Sequence, residues 1–147
     1  NLEKYVQTDN TVFDIGCGSG ILSIAAAKLG ASKVIGIDID DVAVMTSQKN
    51  VLENHVEDIV EIKKGNLMDV VDEKADVIVS NIIAEIIIEM AADVTYFLKE
   101  DGVFIASGII LEKVDPVLRA LEENGLQTVI VDKMGEWASI VSRVKGE

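Results

Sequence analysis

Asp14-Ile15-Gly16-Cys17-Gly18-Ser19-Gly20 stands between the apolar run Thr11-Val12-Phe13 and the Ala-rich run Ile21 to Gly30. An apolar run that breaks into alternating glycines reads as a buried strand turning sharply into a helix. Glycines there permit a tight turn and a close approach of backbone to a ligand. The helix start adds unpaired N–H groups and the positive end of a dipole. The stretch is therefore read as a strand–loop–helix cradle for a nucleotide-like ligand. The competing reading is a turn that only packs a helix on a strand.

The spacing narrows the ligand. Gly16, Gly18 and Gly20 form GxGxG, whereas the dinucleotide fingerprint needs glycine where Ile21 stands. The Gly-Lys-Ser/Thr ending of a phosphate loop is also absent. Both weigh against a nicotinamide oxidoreductase or a nucleoside triphosphatase. Asp14 would repel a phosphate but favour an ammonium or a sulfonium.

Outward from this loop, strand-like and helix-like stretches alternate. Strands are expected at Thr11–Ile15, Val34–Ile37, Ile59–Ile62, Ala75–Ser80, Gly102–Ala106, Thr128–Val131 and Trp137–Val144. Helices are expected at Ile21–Leu29, Asp41–Asn54 and Ile82–Leu98, with another from Asp115-Pro116 (Asp as cap, Pro in the first turn) to Gly125. Val114, Leu118 and Leu121 are expected on that last helix's inner face, and Trp137 in the core. Glu85, Glu89 and Asp93 form a polar stripe on an otherwise apolar helix. Short apolar strands alternating with helices imply a parallel sheet covered on both faces. The segment Asp132–Glu136 is too short for a crossover helix, so the last two strands are expected to be antiparallel.

The chain has 147 residues, 13 of them basic and 26 acidic, for a formal charge of −13. That size fits one domain, 1–147. The charge disfavours a bare nucleic acid backbone and suits a cationic ligand or a basic protein partner. The single cysteine, Cys17, allows no internal disulfide and fits a reducing, cytoplasmic compartment. The apolar runs are short and broken by charge, so no membrane span is expected. The chain begins at Asn1 without methionine, and Asn1–Gln7 reads as the last turns of a helix. The expectation is a piece of a longer protein.

In a doubly wound sheet, ligands bind beyond the carboxyl ends of the strands. Asp38 ends the second strand, where a carboxylate can accept hydrogen bonds from both hydroxyls of a ribose. Asp40 and Asp41 are expected to cap the next helix. Asn66 and Leu67 follow the third strand and could meet an adenine edge, or form a plain turn. Asn81 follows the fourth strand. Its amide could orient an amine, or cap the long helix. Cys17 is read as a small loop residue rather than a nucleophile. The lone His55 has no companion that suggests a metal site.

DIGCGSG, VIGID and the Asn after strand four resemble the class I S-adenosylmethionine-dependent methyltransferases. The longer run VFDIGCGSGILSIAAAKLGASKVIGIDID, with SNIIAEII and EWASIVSRV, resembles the catalytic domain of the ribosomal protein L11 methyltransferase family. The resemblance implies a Rossmann-like, doubly wound sheet of seven strands, mostly parallel with the last antiparallel. It implies S-adenosyl-L-methionine as cofactor, S-adenosyl-L-homocysteine as product, and no metal. Residue by residue, it implies Gly16, with Gly18 and Gly20, under the methionine part, Asp14 at the ammonium, Asp38 at the ribose, and Asn81 beside methyl donor and acceptor amine. The acceptor implied is a lysine side chain or an α-amine of a basic large-subunit ribosomal protein. Alternatives are another amine substrate, or a cofactor-binding domain without activity.

Four departures stand out. Related enzymes that methylate bases or glutamine place Asn-Pro-Pro-Tyr where this chain has Asn81-Ile82-Ile83-Ala84, which favours a flexible amine over a flat acceptor. The family's Thr-rich loop before strand one and its N-terminal substrate-gripping domain have no match in this sequence. Glu85 follows Ala84, where the family favours small residues.

Overall fold

The computed structural model describes residues 2–145. In chain order the elements are α1 (Leu2–Tyr5), β1 (Thr11–Ile15), α2 (Ile21–Lys28), β2 (Lys33–Asp38), α3 (Asp41–Glu53), β3 (Val60–Lys64) and β4 (Ala75–Asn81), then α4 (Ala84–Phe97), β5 (Leu98–Ile110), α5 (Val114–Glu123), β6 (Leu126–Met134) and β7 (Trp137–Val144). The strands form one sheet in the order β3-β2-β1-β4-β5-β7-β6. The first five pair in parallel, and β7 runs antiparallel to both β5 and β6. The expected α/β class, with the last strand reversed, is the observed one.

Side chains alternate across the central strands and define two cores. Phe13, Ile35, Ile78 and Phe104 face α4 and α5, where Ile87, Met90, Val117 and Leu121 are fully buried. Val12, Val34, Val77 and Val103 face Ile24, Ala26 and Ala27 of α2 and Val51 of α3. Burial on both faces explains why these strands read as continuous apolar runs. Each buried Val, Ile, Leu, Met or Phe among them stabilises the fold by roughly 1.5–3 kcal/mol. Strand order reverses between β1 and β4, so the crevice beyond their carboxyl ends is where a ligand can enter.

Several boundaries differ from expectation. Ile83 stays extended at φ −65, ψ 151, so α4 starts at Ala84 rather than at Ile82. Asn81 remains paired with Ser107 inside the sheet and is not the helix cap. Asp115 and Pro116 lie within α5, because a 3-10 turn at Leu111–Lys113 feeds straight into it and puts Lys113 at the cap. Proline is tolerated there since the first turn's N–H groups have no helical partner. Val114, Val117, Ala120 and Leu121 form the buried face of α5, with Leu118 only half-buried. The ladder between β6 and β7 continues to the Met134–Trp137 pair, leaving a two-residue turn with Gly135 at φ +59. Trp137 is therefore not core but 53% exposed at a strand end.

Candidate functional site

β1 delivers Ile15 to the carboxyl edge of the sheet, where Gly16 turns at φ +71. The amides of Gly16 and Cys17 both donate to the Ile37 carbonyl, at 2.7 and 3.0 Å. A β-carbon on Gly16 would come within 2.6 Å of the Ile82 side chain, so only glycine lets Ile82 close over the loop. Gly20 packs against Ser47 of α3, and the Asn50 side-chain amide donates to the Ser19 carbonyl at 2.8 Å. Gly18 faces open space at φ +55. The loop is held on three sides and open at its middle glycine.

Asp14 sits under this loop. Its carboxylate is 1% exposed and accepts the Ser23 hydroxyl at 2.7 Å and the Ser23 backbone amide. Gly20, at the cap position of α2, offers no side chain, so Asp14 caps that helix from the neighbouring strand. Burial pushes its carboxyl up to about 6; the Ser23 hydrogen bonds oppose the shift and the Asp38 charge adds to it.

Asp38 ends β2 half-buried. One oxygen accepts the Gly18 amide at 2.9 Å and the other the Asp40 amide at 3.0 Å. Asp40 in turn accepts from Val42 and caps α3, as expected. Asp41 pairs with Lys64. A cleft of about 320 Å³ opens between Gly16, Asp38, Asn66, Leu67 and Ile82, with Ile39 and Ile86 on its walls.

Residues 1–145 match the family described as Ribosomal protein L11 methyltransferase (PrmA). The chain belongs to the ribosomal protein L11 methyltransferase family. It is 61% identical over 145 residues to the Ribosomal protein L11 methyltransferase of Alkaliphilus oremlandii, covering 99% of this chain and 46% of that protein. The chain thus spans about half the length of that relative. The crystal structure of the ribosomal protein L11 methylase from Lactobacillus delbrueckii subsp. bulgaricus superposes with a TM-score of 0.94 at 37% identity, over 99% of this chain and 75% of that one. An RNA methyltransferase from Salinibacter ruber, solved in complex with S-adenosyl-L-homocysteine, shares the fold alone, at 19% identity and a TM-score of 0.80 over 99% of this chain and 88% of that one.

Of the residues singled out in the sequence, the structure gathers Gly16, Asp38, Asn66 and Leu67 around one cleft. Gly18 stands over it, tied to Asp38, while Asp14 and Gly20 lie beneath and behind the loop. Asn81 is exposed at the end of β4, one residue from Ile82, and a β-carbon on Gly108 would collide with its Oδ1. Glu85 points to Lys113, 3.4 Å away. The Cys17 thiol is buried, 3.9 Å from the Ser47 hydroxyl; burial, then the Asp14 charge, pushes it up to about 12, so it stays protonated.

Sequence reasoning missed the apolar walls Ile39, Ile82 and Ile86 and the Ser23 partner of Asp14. Ile39, 64% exposed between two acids, carried a signal, since an isoleucine there has no strand neighbour to pack against. Among the described residues, no group of three or more His, Cys, Asp or Glu side chains is placed to hold a metal ion. No helix among them is long and apolar enough to cross a membrane.

Proposed function

We propose that this chain is the catalytic part of an S-adenosyl-L-methionine-dependent enzyme that methylates amino groups of ribosomal protein L11. The single observation that carries the reading is the cleft joining the Gly16–Gly18 turn to the Asp38 carboxylate, with Asn81 at the adjoining strand end. Family membership and the 61% identity support it.

The residues present fit the cofactor. Each Asp38 oxygen accepts one backbone amide and keeps a lone pair for a ribose hydroxyl. The apolar walls and the Asn66-Leu67 backbone suit an adenine. Gly18 leaves room above the loop for the methionine part. Asp14 acts from below, fixing the first turn of α2 and placing a negative charge under the position of a cation. When bound, the cofactor supplies a methyl on a cationic sulfur, which departs with the bonding pair as the acceptor nitrogen's lone pair takes the methyl.

The acceptor must be a free amine. A lysine ammonium, with a pKa of about 10.4, has no lone pair until a proton leaves to solvent. Asn81 Oδ1 accepts a hydrogen bond from the amine N–H and so orients its lone pair without removing the proton. Alignment of this kind supplies on the order of 7–11 kcal/mol of the barrier reduction. The net charge of −13 suits a basic substrate protein, and a ribosomal substrate implies work in the cytoplasm.

Calorimetric titration with S-adenosyl-L-homocysteine tests the cofactor half, with NAD as control. Binding of the first alone is expected, and binding of NAD instead would overturn the reading. Labelled methyl transfer to purified ribosomal protein L11 tests the acceptor half.

A further inference from the structure

Asp14 is a buried carboxylate with no cation beside it. It forms no ion pair among the described residues, and the charge acting on it is the like charge of Asp38. Burial destabilises such a charge, so what keeps it ionised near neutrality is the pair of hydrogen bonds from Ser23. β2 makes room for them. Gly36 is paired with Asp14 across the sheet, and a β-carbon there would come within 2.8 Å of the Ser23 hydroxyl oxygen and 3.3 Å of the Cys17 β-carbon. Ser23 is itself fully buried.

This charge lies at the floor of the glycine loop. Asp14 is two residues before Gly16, which lines the cleft, so their α-carbons are at most about 7 Å apart. The titratable groups that face Asp14 are Cys17 in the loop and Asp38 at the end of β2. β4 presents Val79 beside it, α2 presents Ser23, and α3 reaches the cluster through Ser47, none of them charged.

We propose that Ser23 is a positioning residue for the transfer: its hydroxyl holds the Asp14 carboxylate charged beneath the loop, and that charge makes the site prefer the sulfonium donor to the neutral thioether left after transfer. This rests on the methyltransferase reading above. Donor and product share the same ammonium, carboxylate, ribose and adenine. They differ by one methyl and by one positive charge on sulfur. A carboxylate shielded from water senses that difference more strongly than an exposed one. Once the methyl has left, the attraction is gone, and product exchanges for fresh donor more readily. Lowering the pH through about 6 puts a proton on Asp14 and erases the preference.

The measurement is the ratio of the dissociation constants of S-adenosyl-L-homocysteine and S-adenosyl-L-methionine, by calorimetry on the chain from pH 5 to 8. The shared groups cancel in the ratio. In the parent it should favour the donor at pH 8 and fall about ten-fold toward pH 5. Ser23→Ala keeps the backbone amide and loses the hydroxyl, so the midpoint of that fall should move up by about one pH unit or more. Ser23→Thr keeps a hydroxyl and should stay close to the parent. Asp14→Asn should hold the ratio at its acid value at every pH. A parent ratio that does not change with pH would overturn the proposal, and that profile needs no variant to fold. So would a Ser23→Ala chain that keeps the parent's midpoint, whatever its affinity, since that is what a purely structural serine gives. Failure of the parent to bind either ligand would instead fault the methyltransferase reading beneath it.

Discussion

Asp14 and Ser23 are joined twice: the carboxylate accepts both the Ser23 hydroxyl, at 2.7 Å, and the Ser23 backbone amide. One side chain from β1 thereby completes the first turn of α2, directly behind the glycine loop. The order of that loop depends on a buried charge.

That charge gives stability a pH dependence. The Asp14 carboxyl is raised to about 6 in the folded chain, against about 3.9 when unfolded. The folded chain therefore holds this proton more tightly. The resulting stabilisation is complete below about pH 4 and is lost as pH rises through about 6. Its size is on the order of 3 kcal/mol. Urea unfolding of the parent and Asp14→Asn chains between pH 4 and 7 should show a parent stability that declines relative to the variant. Parallel curves would remove the buried charge from the account.

Asp38 does two jobs, and a variant should lose both. Asp38→Ala removes the acceptor for the Gly18 and Asp40 amides and the proposed partner of the ribose. Hydrogen bonds to a charged group contribute about 1.5–3 kcal/mol each. S-adenosyl-L-homocysteine affinity should fall roughly 100-fold or more. Hydrogen exchange at Gly18 and Asp40 should quicken in the ligand-free chain, which a purely ligand-contacting residue would not produce.

Gly108→Ala should separate binding from transfer. Its methyl would strike Asn81 Oδ1, and its φ of +78 strains any other residue. The backbone cost is roughly 1–2 kcal/mol. Cofactor affinity should survive while methyl transfer drops by at least about ten-fold, since the orienting amide has to swing away. Single-turnover kinetics with saturating cofactor would show this directly.

Cys17 should be inert. Its buried thiol, pushed up to about 12, presents almost no thiolate at pH 8. Labelling by an aromatic disulfide reagent should proceed only as fast as the loop opens, and become immediate in denaturant. Cys17→Ala should keep full methyl transfer.

Ser142 offers a test of packing. Its hydroxyl is fully buried and has no hydrogen-bond partner among the described residues, between Phe104 and Thr128 in the sheet. Removing an unpartnered buried hydroxyl relieves a desolvation cost of roughly 1–3 kcal/mol, less the small cavity left. Ser142→Ala should leave thermal stability equal or raised, and a clear fall in melting temperature would imply a partner for that oxygen.

The strands and the glycine loop were readable because each depends on local chemistry: apolar runs for doubly buried strands, glycine where φ is positive, Asp40 where α3 needs a cap. What was not readable depends on distant partners. The hydrogen bond from Ser23 to Asp14 was hidden because the two residues lie in different elements. Trp137 looked like core because the sequence does not reveal that it opens β7 directly after the tight turn, at the end of its pairs with Ile110 and Met134. Asp115 looked like a cap because the 3-10 turn at Leu111–Lys113 has no mark in the sequence. Asn81 ends the strand rather than starting the helix because Ile82 turns onto the cleft and Ile83 stays extended before α4 begins at Ala84.

The insertion of β7 between β5 and β6 has a consequence for how the chain is made. Residues 137–144 are the last strand in sequence, yet they occupy an interior place in the sheet. Until they emerge during synthesis, β6 has no neighbour and β5 keeps an open edge. The first five strands can assemble as they are produced, while the β6–β7 edge must wait. The cleft beside Gly16 and Asp38, built from β1 to β4 and the start of α4, is thus the early half of the molecule in time, and the β6–β7 turn is the late half.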